Sequence, residues 1–481
     1  MPAVFPMNIR TLLVAAAAAS LTLVPYARAQ QIVYAQQLPP VTLRGLPAAD
    51  PNVRPREILQ QPHWPRLTPR TFSTATLPPL ERATIAPPPV VLGFTSATTR
   101  NVSPADAAGA VGKSHIVTAT NAGLTVHKRT GEILGSAGLG PFFQFNNAAN
   151  AEVYDPRIVY DRDADRWIVI ALRNAESFLI AVSRSGDPMG TWNRYSLSFT
   201  FSVEIDFTHL ALTRDTVMFA TNGESETVLF SVRKSDLFAG PSSLPISRFH
   251  YEEYDTLPVR ADDSAAEYVV VAESDGIDVA RIDGTNRHFI SNPYPSDRFA
   301  RIAPQLGTTS GLETGAERYP IESAVLRNGV LYAVQTVGDW ELDRSAILWW
   351  KVNPESGKLL ASGVIASPDP TKYYAYPSVA VNGSGAMLIG FCTFSPSQYA
   401  SAGYVFRDAA GRISSEGALR NGESTFTITT RWGDYTTTVI DPFDDNTFWT
   451  LQIFARGQQW STVWGEVQAP ITPVRRRSVR H

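Results

Sequence analysis

Five acidic residues stand at the starts of short apolar runs: Asp106, Asp155, Asp206, Glu322 and Asp434, with Arg157, His209, Arg431 and Tyr435 close by. Carboxyl groups crowded together raise one another's pKa or bind a cation, and a raised pKa suits a general acid. A carboxylate pair at the right separation can hydrolyse a glycosidic bond. On that chemistry the catalytic candidates are Asp155, Asp206, Glu322, Asp434, His209 and Tyr435. The competing role is structural: an aspartate that opens a strand also bonds the backbone amides of a neighbouring segment. Asp106, Arg157 and Arg431 are candidates for ligand contact, together with the aromatics Trp340, Tyr374 and Tyr376. Those rings, like Tyr251 and Tyr254, lie in polar, loop-like sequence, where a flat face could stack on a sugar.

A second acidic pattern, Asp161-x-Asp163-x-Asp165, has the spacing with which carboxylate oxygens grip Ca2+. Arg166 stands where such a loop needs glycine, and Leu172 where it needs glutamate. Corresponding turns elsewhere in the chain read Asn328-Gly329 and Asn382-Gly383, so hairpin formation is the expected role. The same holds for Asp441, Asp444 and Asp445. No cofactor is implied beyond that weak calcium candidate. His-Glu-x-x-His, Gly-x-Ser-x-Gly, Cys-x-x-Cys and a phosphate-cradling glycine loop are all absent from the sequence. The single cysteine, Cys392, sits in an apolar run and reads as a small buried hydrophobe.

The elements that must position these residues repeat. Each copy is an apolar strand, a turn of Asp, Asn or Gly, and a second apolar strand. The clearest are Val159 to Ile170, Leu210 to Thr221, Val325 to Val334, Val379 to Ile389 and Val439 to Leu451. Weaker copies run from Ala110 to Thr118 and from Asp262 to Val271. Third strands follow at Val228 to Val232, Ile277 to Arg281, Ile347 to Val352 and Gly403 to Phe406. Copies spaced by roughly fifty to sixty residues suit one propeller blade each. The expected fold is all-β, a single seven-bladed β-propeller of four-stranded antiparallel blades over residues 90–469, with six blades as the alternative. A closed ring would bring the acidic strand starts to one mouth, where such folds bind ligands.

Three segments resemble a family of large exported bacterial propeller proteins of unestablished function. They are Ser103-Pro-Ala-Asp-Ala-Ala-Gly-Ala-Val-Gly112, Asp155-Pro-Arg-Ile-Val-Tyr-Asp161 with Arg166-Trp167, and Arg431-Trp-Gly-Asp-Tyr435 with Asp441-Pro442. The resemblance implies a propeller and export, and supplies no catalytic residues. Ser185-Gly-Asp-Pro-Met-Gly-Thr-Trp192 is similar to the Asp-box turn of sialidase-type propellers, with Gly190 one position late. That likeness implies a folding device: Asp187 bonding turn amides and Trp192 packing between blades.

The ends of the chain differ in character. Arg10, an alanine-rich apolar run from Leu12 to Val24 and Ala27-Arg-Ala29 read as a signal peptide over residues 1–29, cut before Gln30. Residues 30–89 are proline-rich and read as a mostly mobile linker, and residues 470–481 as a basic tail. A net charge of −3 lacks the basic excess of a nucleic-acid binder, and no later run is long enough to span a membrane. The expectation is a secreted monomer, periplasmic or extracellular, that binds a glycan or a protein. The alternative is a carbohydrate-active enzyme, a glycoside hydrolase or polysaccharide lyase, using carboxylates at the propeller axis.

Overall fold

Seven four-stranded antiparallel blades make up the body of the protein, five of them separate sheets and two joined in one nine-stranded sheet. The computed structural model describes residues 27–48, 78–98, 104–144, 153–198, 205–223, 226–251, 253, 255–273, 275–292, 302–315, 320–339 and 344–470. Within them, blade 1 spans Ala108–Val111 to Ile133–Ala137, blade 2 Val153–Asp161 to Thr191–Ser198, and blade 3 Asp206–Leu212 to Ser243–Tyr251. Blade 4 spans Leu257–Pro258 to His288–Ser291, blade 5 Ser323–Arg327 to Lys358–Ile365, and blade 6 Tyr373–Val381 to Gly417–Arg420. Blade 7 takes Thr437–Ile440, Thr447–Arg456 and Gln459–Gln468 from the C-terminal region and its outermost strand, Val90–Thr98, from the N-terminal region. First strands of successive blades touch in a closed cycle, with blade 7 returning to blade 1. The architecture is the expected propeller, closed by a strand exchange between the two ends of the chain.

Every blade has a neighbour on each face, so its strands bury both faces and lose the alternation of a half-exposed sheet. The second strand of blade 2 shows this: Trp167 to Leu172 is buried without interruption. The core is accordingly layered between blades, one apolar cluster lying between blades 2 and 3 and another between blades 1 and 2. Close approach across these layers explains Gly109-Ala-Val-Gly112. A Cβ on Gly109 would collide with the Trp464 indole of blade 7, and one on Gly112 with the Trp167 indole of blade 2. Trp349, Trp350 and Cys392 are buried in the same layers, in line with their apolar surroundings in sequence. Helix is confined, among the described residues, to Leu139–Phe143 and Lys234–Ala239.

The proline-rich arm departs from the expected spacer. Ala27–Thr42 is a strand inserted between the outermost strands of blades 2 and 3, fusing the two blades into one nine-stranded sheet. It can do so because Val33, Ala35 and Gln37 turn inward while Ile32, Tyr34 and Gln36 turn out, a period of two that satisfies a sheet edge. Pro39-Pro40 fall where the register shifts between Leu38 and Val41, the point at which missing N–H donors do least harm. There the fully buried Arg194 donates from Nε to the Pro39 carbonyl at 3.0 Å and from its guanidinium to the Phe142 carbonyl at 2.8 Å. Further on, the arm lies against blades 5 and 6 through Glu81 N–H to the Val364 carbonyl and Thr84 N–H to the Ile413 carbonyl, both 2.8 Å. Residues before Ala27, where most of the expected signal peptide falls, those from 49 to 77 of the arm, and the tail from residue 471 lie outside the described residues.

Candidate functional site

The acidic strand starts owe their place to backbone shape. Asp106, Asp155, Phe207, Asp255 and Tyr376 all have positive φ, between 45° and 64°, at the entry to the first strands of blades 1, 2, 3, 4 and 6. At three of them the strand register shifts: between Tyr154 and Arg157, between Asp206 and His209, and between Ala375 and Ser378. Each entry is a bulge with one residue in the left-handed region, where Asp and Asn are tolerated better than most side chains. The bulge turns that residue toward the blade beside it.

What the side chains then touch is mostly the next blade. Asp155 Oδ2 accepts the Phe207 N–H of blade 3 at 3.0 Å, and its carbonyl accepts the Thr208 hydroxyl at 2.7 Å. Asp106 Oδ1 accepts the Asp434 N–H leading into blade 7 at 3.1 Å. Asn121 completes the junction of blades 1 and 2: its Nδ2 donates to Asp106 Oδ2 at 2.6 Å and its Oδ1 accepts the Asp155 N–H at 2.8 Å. Asn222 donates to Asp255 in the same manner, and Thr336 Oγ1 accepts the Tyr376 N–H at 3.1 Å. Asn121 directly follows the second strand of blade 1, Asn222 ends that of blade 3, and Thr336 lies in the C-terminal half of that of blade 5, so similar junctions recur around the ring. Sequence reasoning missed these partners because each looks like an ordinary turn or strand-end residue.

Crowding and burial set the charge state. Burial, followed by the Asp206 charge, pushes the Asp155 carboxyl well above its ordinary value, and burial with the Asp434 charge raises Asp206 as well. Burial and the Asp434 carboxylate lift Asp106 to about 7, against the pull of Arg431. Glu322 is also raised well above the carboxylate range, by burial; its oxygens accept the Thr336 N–H at 2.6 Å and hydroxyl at 2.9 Å. Asp434 is paired with Arg431 at 2.6 Å, and that charge holds the Arg431 guanidinium protonated. Tyr435 lies under the Arg157 guanidinium, 3.8 Å from ring centroid to Cζ, and its hydroxyl faces Asp155 Oδ2 at 3.4 Å.

Below this layer all seven blades line a cavity of about 100 Å³, with Arg157, His209, Arg260, Glu322 and Ser378 among its polar residues. The ring thus gathers Asp106, Asp155, Asp206, Asp434, Arg157, His209, Arg431 and Tyr435 at one end of the axis, as their spacing suggested, with Glu322 on the same channel wall. The aromatic candidates do not join them. Tyr374 and Tyr376 are only 2% and 3% exposed, because the run from Tyr373 is a strand and not a loop. Tyr374 packs on Phe391 and donates to Glu416 at 2.6 Å, while Tyr376 donates to the Glu313 carbonyl at 2.8 Å. Neither can stack on a sugar. Tyr251 is likewise buried. Trp340 and Tyr254 lie outside the described residues.

The acidic turns are hairpins. Asp161 Oδ1 accepts the Asp163 and Ala164 amides at 3.0 Å each, its Oδ2 pairs with Lys234 at 2.7 Å, and Asp165 takes the Tyr160 hydroxyl. Asp161 and Asp165 thus serve turn and ion-pair contacts, while the exposed Asp163 carboxylate meets only Arg162 among the described residues, at 3.6 Å. Asp441 caps the Phe443 amide at 2.9 Å and pairs with Arg129, and Asp444 caps Asn446 and Thr447. The box-like turn performs as a folding device: Asp187 Oδ1 accepts the Met189 N–H at 2.9 Å, and the buried Trp192 meets Phe142 of the neighbouring layer edge-on at 5.3 Å.

No protein-family model matches the chain, and no curated protein matches it. Solved structures align with it at low similarity. An α-L-arabinofuranosidase, ARB93A, from Fusarium graminearum aligns over 79% of this chain and 98% of its own at 10% identity, with a TM-score of 0.36. The WD40 domain of SCAP from fission yeast aligns over 74% and 82% at 9% identity, TM-score 0.34. A subtype N10 neuraminidase-like protein of A/little yellow-shouldered bat/Guatemala/060/2010 aligns over 56% and 95% at 9% identity, TM-score 0.31.

Proposed function

We propose that the protein is a secreted binding or scaffold module for an extracellular glycan or protein, engaged at the axial mouth. Export rests on the leader over residues 1–29 with its small residues at Ala27 and Ala29. One observation carries the choice of binder over enzyme: the axial carboxyl groups are committed to one another and to neighbouring backbone amides. The most acid/base-like pair, Asp155 with Asp206, is in direct hydrogen-bond contact. Glycoside hydrolysis needs its carboxyls about 5 to 10 Å apart, so that a sugar or a water fits between them. Asp155 has one oxygen on the Phe207 N–H and Asp106 one on the Asp434 N–H, which ties both groups to the fold. Among the described residues no helix is long and apolar enough to cross a membrane.

The test is a glycan and extracellular-protein array together with a polysaccharide-release assay on the mature chain, repeated with Asp155→Asn and Asp434→Asn. Retention without product is expected. Product release by the wild type that is lost in a folded Asp155→Asn variant would favour the hydrolase or lyase instead.

A further inference from the structure

A second polar recess lies at the hairpin end of blades 2 and 3, where the arm strand passes between them. Gln37, Arg166, Arg184, Asn193, Phe238 and Gly240 line a pocket there of about 290 Å³. Ile168 pairs with Val182, so Arg166 and Arg184, each two residues nearer the hairpins, turn to the same face of blade 2. Like charges on neighbouring strands repel. Neither arginine makes an ion pair among the described residues. Arg184 donates from Nε to Asn193 Oδ1 at 2.8 Å, and Arg166 from Nη1 to the Ala164 and Asp165 carbonyls at 3.3 and 3.1 Å. Most of both guanidinium forks is unspent. The acids nearby are committed elsewhere: Asp161, opposite Arg166 in the ladder, holds Lys234 at 2.7 Å, and Asp236 of the adjoining helix holds Arg233 at 2.8 Å. Asp165 takes the Tyr160 hydroxyl, and no carboxylate is among the residues that line the pocket. Tyr195 is fully buried, and its hydroxyl has no well-formed hydrogen bond, Gln37 and Arg184 being its polar neighbours. A Cβ on Gly240 would meet Asn193 Nδ2 at 2.7 Å and the Tyr195 hydroxyl at 3.9 Å, so both polar tips reach the pocket wall.

We propose that this recess binds one acidic sugar residue, its anionic group on the Arg166 and Arg184 forks and its hydroxyls on Asn193, Gln37 and Tyr195. The charge follows from the arginines. A planar fork takes carboxylate or sulfate oxygens in pairs, and an anion between two cations relieves their repulsion. The sugar follows from the rest of the wall. Asn193 and Gln37 bring amides that both donate and accept, the Tyr195 hydroxyl does the same, and the half-buried Phe238 brings a ring. A pocket of this volume suits one sugar ring rather than a chain. Gln37 belongs to the arm and donates to the Gly240 carbonyl at 3.3 Å, so the site is complete only with the arm strand in place. It shares no residue with the axial cavity and stands apart from the mouth.

The experiment titrates the mature chain with sodium glucuronate, glucose 6-sulfate, glucose and sodium acetate, followed by ligand-observed NMR. At least one of the two acidic sugars should bind about tenfold more tightly than glucose or acetate, and the tighter of the two names the anionic group. Arg184→Gln should lower that affinity about tenfold or more. Its side chain is exposed, so the melting temperature without ligand should stay near the wild-type value. Arg166→Gln should weaken binding in the same way. Arg44→Gln removes an exposed cation of the arm that does not line the recess, and it should bind like the wild type. Neither acidic sugar binding, acetate binding as tightly as they do, or undiminished affinity in Arg166→Gln and Arg184→Gln would overturn the site. An equal loss in Arg44→Gln would also overturn it, because the attraction would then be diffuse charge. Asp155 and Asp434 do not line the recess, so glycan retention lost in their variants bears on the mouth alone.

Discussion

The two ends of the inner strands use the same residue in opposite ways. At the mouth, Asp106 and Asp155 are buried among other acids, and their pKa values rise. At the hairpin end, Asp441 is paired with Arg129, and Asp161 with Lys234, while hydrogen bonds from Thr447 and Asn446 hold Asp444 below its ordinary pKa despite partial burial. The first group works as neutral or half-neutral acids that staple blades together. The second works as carboxylates that cap turns. An acidic residue in a propeller is therefore read by its neighbours, and asparagine distinguishes the two cases because it copies a protonated aspartic acid but not a carboxylate.

The largest break in this contrast is Asp155→Ala. It removes the acceptor of the Phe207 amide, strands Asp206, and leaves alanine in the left-handed region, which should cost about 3 kcal/mol in urea unfolding. Asp441→Asn comes next. Loss of the charge-assisted bond to Arg129 should cost ~1–2 kcal/mol while the Phe443 cap survives, which Asp441→Ala would also remove. Asp163→Ala should change stability by less than about 0.5 kcal/mol, since its carboxylate is exposed and touches only Arg162 at 3.6 Å. Calcium should leave the melting temperature of both the wild type and that variant unchanged. A calcium-induced rise lost in Asp163→Ala would restore the metal loop.

The fold was legible because both strand types and turns repeat. Asn328-Gly329 marks a hairpin by itself, and Trp167 to Leu172 marks a strand buried on both faces. The gathering of Asp106, Asp155, Asp206 and Asp434 followed once the ring was assumed. What stayed hidden depends on distant partners. Nothing local in Gln30 to Thr42 says that two strand edges 150 and 210 residues away, roughly, will accept it as a ladder partner. Tyr374 and Tyr376 looked exposed because lysine, threonine and proline precede them, yet their strand faces blades 5 and 7. Asn121 carries two axial junctions with no sequence mark beyond a turn.

The pH dependence of Asp155→Asn tests the central contrast most directly. A carboxyl whose folded pKa is raised is fully favourable to the fold below its unfolded value, near 3.8, and that contribution is lost as pH climbs toward its folded value. Asparagine keeps the acceptor for Phe207 and the donor for Asp206 at every pH. Urea unfolding of the two proteins from pH 4.5 to pH 8 should therefore start with the wild type equal or slightly ahead and move steadily in favour of Asp155→Asn as pH rises. Parallel curves, or a variant that loses ground with rising pH, would mean that Asp155 is an ionised carboxylate and that the mouth is built like the hairpin end.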